Sequence, residues 1–388
     1  MHMYPWGKSL AKVGMEQQTR SQWVTGNDPH SRVLKLIGSG RSGEIFMIRR
    51  QSFCSLTLDA NREPCISKSE PWSLLDLRQK VYFFLSTIYS TMQQIQQERK
   101  AVAIIQHRRH ENVIMIHGAG QLSCFPADGP QFYYFDMDLC DMNLEQFIIG
   151  SDHFQSLRDT AGLAFQLLLG STNPAPLGLH PTFPYGVRVL QQITKGLKHL
   201  HDLGLAHRDM KPQNSNSPNI SLILVLFSLR DGLWKVADFG LTMQGTSRNA
   251  HITHTGRGTA CYRAPELLRE GRQSTFNNKV DIWSLGCILY ELITNQLAFS
   301  NDYAVQCYAN DHNQRRGPLP LMPVDNRSYH ILLRLIECLL LRDYWCRPRT
   351  DDILALLDCL GSSKTGTDIW LSGCSQDLSR HGQVPIPS

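Results

Sequence analysis

The sequence has eleven cysteines, yet it contains no CxxC pair and no cysteine or histidine spacing typical of a zinc site. Several cysteines, including Cys287 and Cys338, lie in apolar stretches with helical spacing. Such positions are typical of reduced, buried thiols rather than of a disulfide framework. We therefore expect an intracellular protein, located in the cytoplasm or the nucleus.

Long hydrophobic runs are also missing. The two longest apolar runs, residues 81–89 and 220–229, are much shorter than the roughly 18 residues that a membrane span needs. Residues 1–12 contain no apolar segment of the kind found in secretory signal peptides. The net charge is only +5 and is spread along the chain. The sequence thus predicts no membrane span and no nucleic-acid partner.

The chain does have enough apolar sequence for a large core. Of its 388 residues, 42% are hydrophobic and 19% are charged, which suits one large domain or two ordinary ones. Strand-like patterns come first, at residues 33–37 and 45–48, followed by a helical stretch near residues 95–106 and strands near 113–117 and 132–137. Helical patterns follow, at residues 187–203, 281–294 and 331–341. This order predicts an α+β fold with a small β-rich lobe followed by a larger α-helical lobe.

The pattern also suggests where these parts begin and end. Residues 51–79 mix polar residues with two prolines, and we expect a long loop there. We assign an N-terminal extension to residues 1–31, the small lobe to 32–138, the large lobe to 139–361 and a Ser/Gly-rich flexible tail to 362–388.

A glycine-rich stretch lies between the first two predicted strands. Gly38, Gly40 and Gly43 would let the backbone approach a phosphate closely, with its N–H groups pointing inward. Taken alone, the stretch also fits an ordinary glycine turn. A dinucleotide-binding fold would need a helix directly after the glycines, whereas residues 44–48 have a strand pattern. A hairpin that covers phosphates fits better than a nicotinamide-dependent oxidoreductase.

Residues 207–214 (His-Arg-Asp-Met-Lys-Pro-Gln-Asn) carry the most specific signal. Phosphoryl transfer needs an acceptor for the proton of the attacking hydroxyl, a cation near the moving phosphate, and oxygen ligands for Mg²⁺. Asp209, Lys211 and Asn214 offer these three functions within six residues. We therefore predict that Asp209 and Lys211 are catalytic and that Asn214 binds the metal ion.

A second carboxylate stands at a strand end. Asp238 begins an Asp-Phe-Gly sequence directly after the apolar stretch 234–237. A carboxylate oxygen at this position is suited to Mg²⁺. Alone, Asp-Phe-Gly is only a turn, but its position after Asp209 makes Asp238 the second predicted metal ligand.

Together these stretches resemble the eukaryotic protein kinase superfamily over residues 32–360. The matching motifs, in the order of that family, are residues 38–43, 207–214, 238–240, 258–266 (Gly-Thr-Ala-Cys-Tyr-Arg-Ala-Pro-Glu) and 281–286. Lys211 and the pair Gly258-Thr259 resemble the serine/threonine branch. The resemblance implies a two-lobed protein kinase-like fold, with ATP and Mg²⁺ as cofactors and protein substrates phosphorylated on Ser or Thr.

The resemblance also implies where ATP is bound. The stretch 132–147 resembles the strand and hinge that hold adenine, with Met137 guarding the back of the site and the backbones of Asp138 and Cys140 bonding the base. The residues that it assigns to the nucleotide are Gly38, Ser39, Gly40, Gly43, Ile45, Lys80, Glu98, Asp138 and Cys140.

Two lysines compete for the role of phosphate-binding lysine, because no Val-Ala-Ile-Lys is present. Lys68 lies between serines in a polar stretch, whereas Lys80 precedes a good strand sequence and lies 18 residues before Glu98. We favour Lys80 as the lysine that aligns the phosphates and Glu98 as its partner, and Lys68 stays the alternative.

Two further features bear on activity. Residues 215–224 are an insertion directly after Asn214, which leaves a catalytically impaired, kinase-like binding or scaffold protein (a pseudokinase) as the alternative. Arg208 beside the predicted base suggests control by an upstream kinase through a phosphate on Thr253 or Thr255. The resemblance also pairs Arg347 with Glu266, and it makes the helix start at residue 281 the anchor of the catalytic loop.

Overall fold

The computed structural model describes residues 31–39, 43–51, 57–58, 64–65, 74–83, 89–123, 131–150, 183–212, 225–253, 258–268, 274–310 and 327–361. The chain divides into two compact units. The first holds the described residues up to Gln96 together with Met115–Leu139, and the second holds Gln97–Ile114 and the described residues from Cys140 onward.

The first unit is built on a five-stranded antiparallel sheet in the order β1-β2-β5-β7-β6. Its strands are β1 (Ser31–Ser39), β2 (Gly43–Gln51), β5 (Leu74–Phe83), β6 (Ile116–Ser123) and β7 (Gln131–Asp138), and a small hairpin joins β3 (Thr57–Leu58) to β4 (Pro64–Cys65). The register of β1 on β2 shifts between Leu36 and Gly38, where the glycine-rich stretch begins. Such a shift is typical of a bulge that bends a strand.

Two of the predicted boundaries were wrong. The loop expected over residues 51–79 ends early, because Leu74 already pairs with β2 and the strand continues to Phe83. The strand expected from Val113 begins instead at Ile116, while Val113 forms an isolated bridge to Val236. In both cases pairing with a distant strand decides the boundary, and this pairing is not visible in the local pattern.

The second unit is mainly helical. Its helices are α1 (Tyr89–His107, from Gln97 onward), α2 (Leu144–Ile149), α3 (Phe183–Asp202), α4 (Lys279–Thr294), α5 (Asp302–Asn310), α6 (Arg327–Leu339) and α7 (Thr350–Gly361). Its short strands are β8 (Met142–Asn143), β9 (Leu205–Ala206), β10 (Val225–Ser228), β11 (Leu233–Val236), β12 (Met243–Gln244), β13 (His251–Thr253) and β14 (Ser274–Phe276). They form the ladders β11-β10-β8, β12-β9 and β13-β14.

Helix α4 lies at the centre of this unit because its sequence is apolar on nearly every face. Trp283, Leu285 and Leu292 are completely buried. At Gly286 the helix approaches α6 so closely that an added Cβ would lie 2.9 Å from the Cβ of Leu339. Helix α3 is amphipathic instead and buries the predicted apolar stripe that includes Leu197. Both helices were predicted, and both are confirmed.

The predicted fold class is confirmed as well, since a β-rich unit contains the first strands and a helical unit follows. No helix in the part of the chain that the structure describes combines the length and the apolarity needed to cross a bilayer.

Candidate active site

The loop after β9 is anchored by a single buried carboxylate. Asp281, in the first turn of α4, accepts hydrogen bonds from the backbone amides of His207 (2.9 Å) and Arg208 (2.7 Å). Its Oδ2 also accepts a bond from Nε2 of His201 at 2.9 Å. A fully buried carboxylate is tolerated when donors surround it in this way. The predicted anchoring role of residue 281 is confirmed.

The same loop is connected to the Asp-Phe-Gly stretch through His207. Its Nε2 donates to the carbonyl of Ala237 at 3.0 Å, and its ring packs edge-on against Phe239. Arg208 adopts a φ of 71°, a conformation that non-glycine residues rarely adopt and that the surrounding bonds must hold. The two residues before Asp209 are therefore held by contacts with α4 and with the Asp-Phe-Gly stretch.

Asp209 and Lys211 lie together, and a hydroxyl joins them. The Oγ1 of Thr259 donates to Oδ1 of Asp209 at 2.7 Å and accepts a bond from Nζ of Lys211 at 2.5 Å. The ammonium is 3.5 Å from Oδ2 of Asp209, and both charged side chains are about 15% exposed. A carboxylate and a cation are thus held side by side, each with a small exposed fraction.

Thr259 is the residue of this cluster that sequence reasoning missed. We used it only as a marker of the serine/threonine branch, although its place in a Gly-Thr pair close to the Ala-Pro-Glu stretch was a usable signal. The separation of 50 residues from Asp209 hides the contact in the sequence.

Asp238 follows β11 and turns sharply. Its φ is 62°, and its Oδ1 accepts a bond from the amide of Gly240 at 3.2 Å. A carboxylate at this place fits Mg²⁺, which takes hard oxygen ligands and completes its shell with phosphates and water. No group of three or more His, Cys, Asp or Glu side chains among the described residues could hold a metal ion by itself. The second predicted ligand, Asn214, lies outside the described residues, as does the insertion 215–224.

The predicted phosphate-binding elements belong to the first unit. Gly38 and Ser39 end β1, Gly43 begins β2, and Gly40 lies outside the described residues. Lys80 is in β5, the middle strand of the sheet, where its backbone is paired with Ile45 on one side and Phe135 on the other. The competing Lys68 lies outside the described residues.

The predicted hinge residues lie at the end of β7 and directly after it. The amide of Asp138 donates to the carbonyl of Met115 at 3.0 Å, and its carboxylate accepts a bond from Nε2 of His117 at 2.7 Å. Met137 and Cys140 are buried, and so is Glu98 of α1 in the second unit. Met137 lies in the predicted strand, and Glu98 lies in the predicted helix.

A buried ion pair holds the far end of the segment 258–266. Arg347 donates from its two terminal nitrogens to the two carboxylate oxygens of Glu266, at 2.7 and 2.8 Å. The arginine also donates to the carbonyl of Lys279 and lies over the ring of Trp283. Such a bidentate geometry is what makes a buried pair tolerable. The predicted pairing of Arg347 with Glu266 is confirmed.

The middle of the same segment is tied to α4 by Tyr262. Its hydroxyl donates to Oε2 of Glu291 at 2.6 Å, and its carbonyl accepts a bond from the hydroxyl of Ser284 at 2.8 Å. Burial raises the pKa of Glu291 to about 7, and the Tyr262 hydroxyl partly opposes this rise. This tie was not predicted either, because Glu291 lies in an apolar helix with no distinguishing pattern.

Comparison with known proteins agrees with this geometry. The model of the protein kinase domain matches residues 84–356, so the chain belongs to the eukaryotic protein kinase superfamily. Members of this superfamily bind ATP, typically together with Mg²⁺, and act on protein substrates.

The similar proteins are serine/threonine-protein kinases. The chain is 25% identical over 323 residues to the serine/threonine-protein kinase Nek5 of Homo sapiens, covering 83% of this chain and 35% of the relative. It is 30% identical over 302 residues to the serine/threonine-protein kinase Nek1 of Mus musculus, covering 75% and 20%. It is 33% identical over 165 residues to the ovarian-specific serine/threonine-protein kinase Lok of Drosophila melanogaster, covering 42% of this chain and 32% of the relative. The chain spans about a third or less of each relative.

Proposed function

We propose that the chain is an active protein serine/threonine kinase, which transfers the γ-phosphoryl group of ATP to Ser or Thr hydroxyls of protein substrates. The observation that carries this proposal is the contact of Asp209, Thr259 and Lys211. The loop that holds Asp209 and Lys211 is bonded through its backbone amides to Asp281. A scaffold protein has no need to hold a carboxylate and an ammonium at 3.5 Å on a loop with strained backbone.

In the proposed reaction Asp209 orients the substrate hydroxyl and accepts its proton. Lys211 would neutralise negative charge on the transferring group, and a cation that is already in place does so at no cost of reorganisation during the reaction. Thr259 keeps both side chains in place, since its hydroxyl bonds to each of them. Because Thr259 belongs to the segment that we expect to receive the peptide, substrate binding and base positioning share one element.

The nucleotide is proposed to bind through Gly38, Ser39, Gly40, Gly43 and Ile45, with Lys80 aligning the phosphates and Glu98 as its partner. Asp138 and Cys140 hold the adenine through backbone atoms. Because the Asp138 amide donates to Met115, the Asp138 contact with adenine uses the carbonyl oxygen. Mg²⁺, held by Asp238 and Asn214, would neutralise the phosphate oxygens. An upstream kinase, no nucleic-acid partner and a cytoplasmic or nuclear location remain predictions from the sequence.

A kinase-like binding protein without turnover is the second candidate. It is favoured by the insertion 215–224, which begins directly after the proposed metal ligand Asn214, and by the absence of Val-Ala-Ile-Lys. Under this alternative the nucleotide would bind but no phosphate would be transferred.

The deciding experiment measures phosphate incorporation from labelled ATP into a generic protein substrate. We expect incorporation with the wild type, and a loss of at least about a hundredfold with Asp209→Asn, which keeps the shape of the side chain but removes the base. Equal incorporation by the two proteins would overturn the assignment. A rise in melting temperature with Mg-ATP but no incorporation would favour the second candidate. Lys80→Met and Lys68→Met, compared side by side, identify the phosphate-binding lysine.

A further inference from the structure

The side chain of Arg208 is enclosed, although the neighbouring Asp209 is partly exposed. The residue is only 5% exposed. Its guanidinium lies 4.3 Å from the ring centroid of Phe276, donates to the sulfur of Met243 at 2.7 Å, and reaches the hydroxyl of Thr253 at 3.4 Å. Three strands, β12, β13 and β14, thus each contribute one side chain to the surroundings of this cation.

Two of these side chains are brought together by the ladder between β13 and β14. His251 is paired with Phe276 and Thr253 with Ser274 in an antiparallel register. Thr253, Ser274 and Phe276 are buried, whereas Ile252 between them is 57% exposed. This alternation is that of a two-stranded ribbon with one face turned inward and one face turned to solvent. We call it the β13–β14 ribbon (residues 251–253 and 274–276).

The inward face of the ribbon can hold the Arg208 guanidinium when Thr253 carries no phosphate. An aromatic face and a thioether both attract a weakly hydrated guanidinium, and the attraction increases when water is excluded. A phosphoryl group on Thr253 would add a charge of about −1.5 to −2 and three oxygens at this buried hydroxyl. The ribbon would have to open before a kinase could reach Thr253 or the phosphate could fit.

We propose that the β13–β14 ribbon is a built-in clamp, which holds Arg208 and orders the segment after Asp238 with no phosphate on Thr253. The expectation that Thr253 carries an activating phosphate is thereby replaced by a structural role for its unmodified hydroxyl. As a statement about catalysis the inference rests on the proposed kinase activity, but the order of the segment can be tested without it.

The test compares hydrogen exchange of the β13 amides in three forms of the full chain: as purified, treated with phosphatase, and incubated with Mg-ATP. We expect equal protection of the His251–Thr253 amides in all three forms. Phe276→Leu, which keeps apolar volume but removes the aromatic face, should accelerate their exchange by roughly tenfold. Thr253→Val, which keeps the shape, should accelerate it less. Ile252→Thr, on the exposed face of the same strand, is the control and should leave the Arg208 surroundings intact.

Protection that is lost on phosphatase treatment and regained with phosphate on Thr253 would overturn the clamp. So would a Phe276→Leu variant that melts like the wild type and shows unchanged exchange. If the wild type also transfers phosphate, the clamp predicts that the phosphatase-treated enzyme keeps its rate within about twofold. If it transfers none, the exchange result still decides the clamp, and the proposed activity fails separately.

Discussion

Helix α4 carries a buried carboxylate near each end, and the two are held in different ways. Asp281 accepts hydrogen bonds from two backbone amides and from an imidazole, and these bonds fix the loop that carries Asp209. Glu291 is bonded by the hydroxyl of Tyr262, and burial raises its pKa to about 7. The catalytic loop is therefore anchored by a carboxylate surrounded with donors, whereas the segment 258–266 is anchored by one that changes its charge near neutral pH.

That segment has two further supports along its length. Its far end is held by the bidentate pair of Arg347 and Glu266, and its near end by Thr259 on Asp209. The segment 258–266 is thus held at three points along its length, whereas the amides of His207 and Arg208 both depend on the one carboxylate of Asp281. Variants at each point should separate these contributions.

The largest effect is expected at the ion pair. Glu266→Ala would leave the guanidinium of Arg347 buried without its counterion, which should cost about 3–5 kcal/mol of unfolding free energy. Urea unfolding measures this cost. Glu337→Ala is the matched control, because it breaks the exposed pair with Arg334 and should cost less than about 1 kcal/mol. Similar losses in the two variants would contradict the role of the buried pair.

The next effect concerns the catalytic loop. Asp281→Asn replaces one carboxylate oxygen with an NH₂ group, which cannot accept a hydrogen bond. At least one of the donors on His207, Arg208 and His201 then loses its acceptor. We expect a loss of about 2–3 kcal/mol in unfolding free energy, and a loss of phosphotransfer that is larger than the unfolded fraction explains. Asp202→Asn, at an exposed pair with Lys198, serves as control. Full activity in Asp281→Asn would show that the anchor is dispensable.

A smaller effect on stability but a clear one on rate is expected at Thr259. Thr259→Val removes the hydroxyl between Asp209 and Lys211 while keeping the shape, so unfolding free energy should change by about 1 kcal/mol. The phosphotransfer rate should fall by roughly tenfold or more, because both groups lose their common partner. Thr259→Ser keeps the hydroxyl and should restore most of the rate. If the serine variant were as slow as valine, the hydroxyl would not be the cause.

The last effect depends on pH. Because the pKa of folded Glu291 is raised to about 7 from its ordinary 4.5, the folded state binds a proton that the unfolded state releases. The stabilisation from this group is complete at low pH and is lost as pH rises toward about 7. Glu291→Gln keeps an acceptor for Tyr262 but cannot ionise. Its unfolding free energy, relative to the wild type, should increase between about pH 5 and pH 8. A difference in unfolding free energy that is constant with pH would contradict the raised pKa of Glu291.

Local patterns in the sequence predicted the motifs and the helices α1, α3, α4 and α6, whereas the family resemblance implied contacts between distant residues. The anchor at Asp281 and the pair of Arg347 with Glu266 were among them. The start of β5 at Leu74 was missed, since its polar residues become strand only by pairing with β2. The tie of Tyr262 to Glu291 joins residues 29 positions apart and depends on packing that no local pattern encodes.

The surroundings of Arg208 were missed for the same reason. Its partners Met243, Thr253 and Phe276 lie on three short strands, each of two or three residues. Strands of this length carry almost no periodic signal, so only the assembled unit brings these side chains together.

The central claim is that Asp209, held by Thr259 beside Lys211, serves as the base for phosphoryl transfer. The most direct test is the rate of phosphate transfer to a serine- and threonine-containing protein by wild type and by Asp209→Asn, at matched folded fraction and saturating Mg-ATP. The account predicts measurable phosphoserine or phosphothreonine with the wild type and a rate at least about a hundredfold lower with the variant. Equal rates, or no transfer by the wild type while Mg-ATP binds, would contradict it.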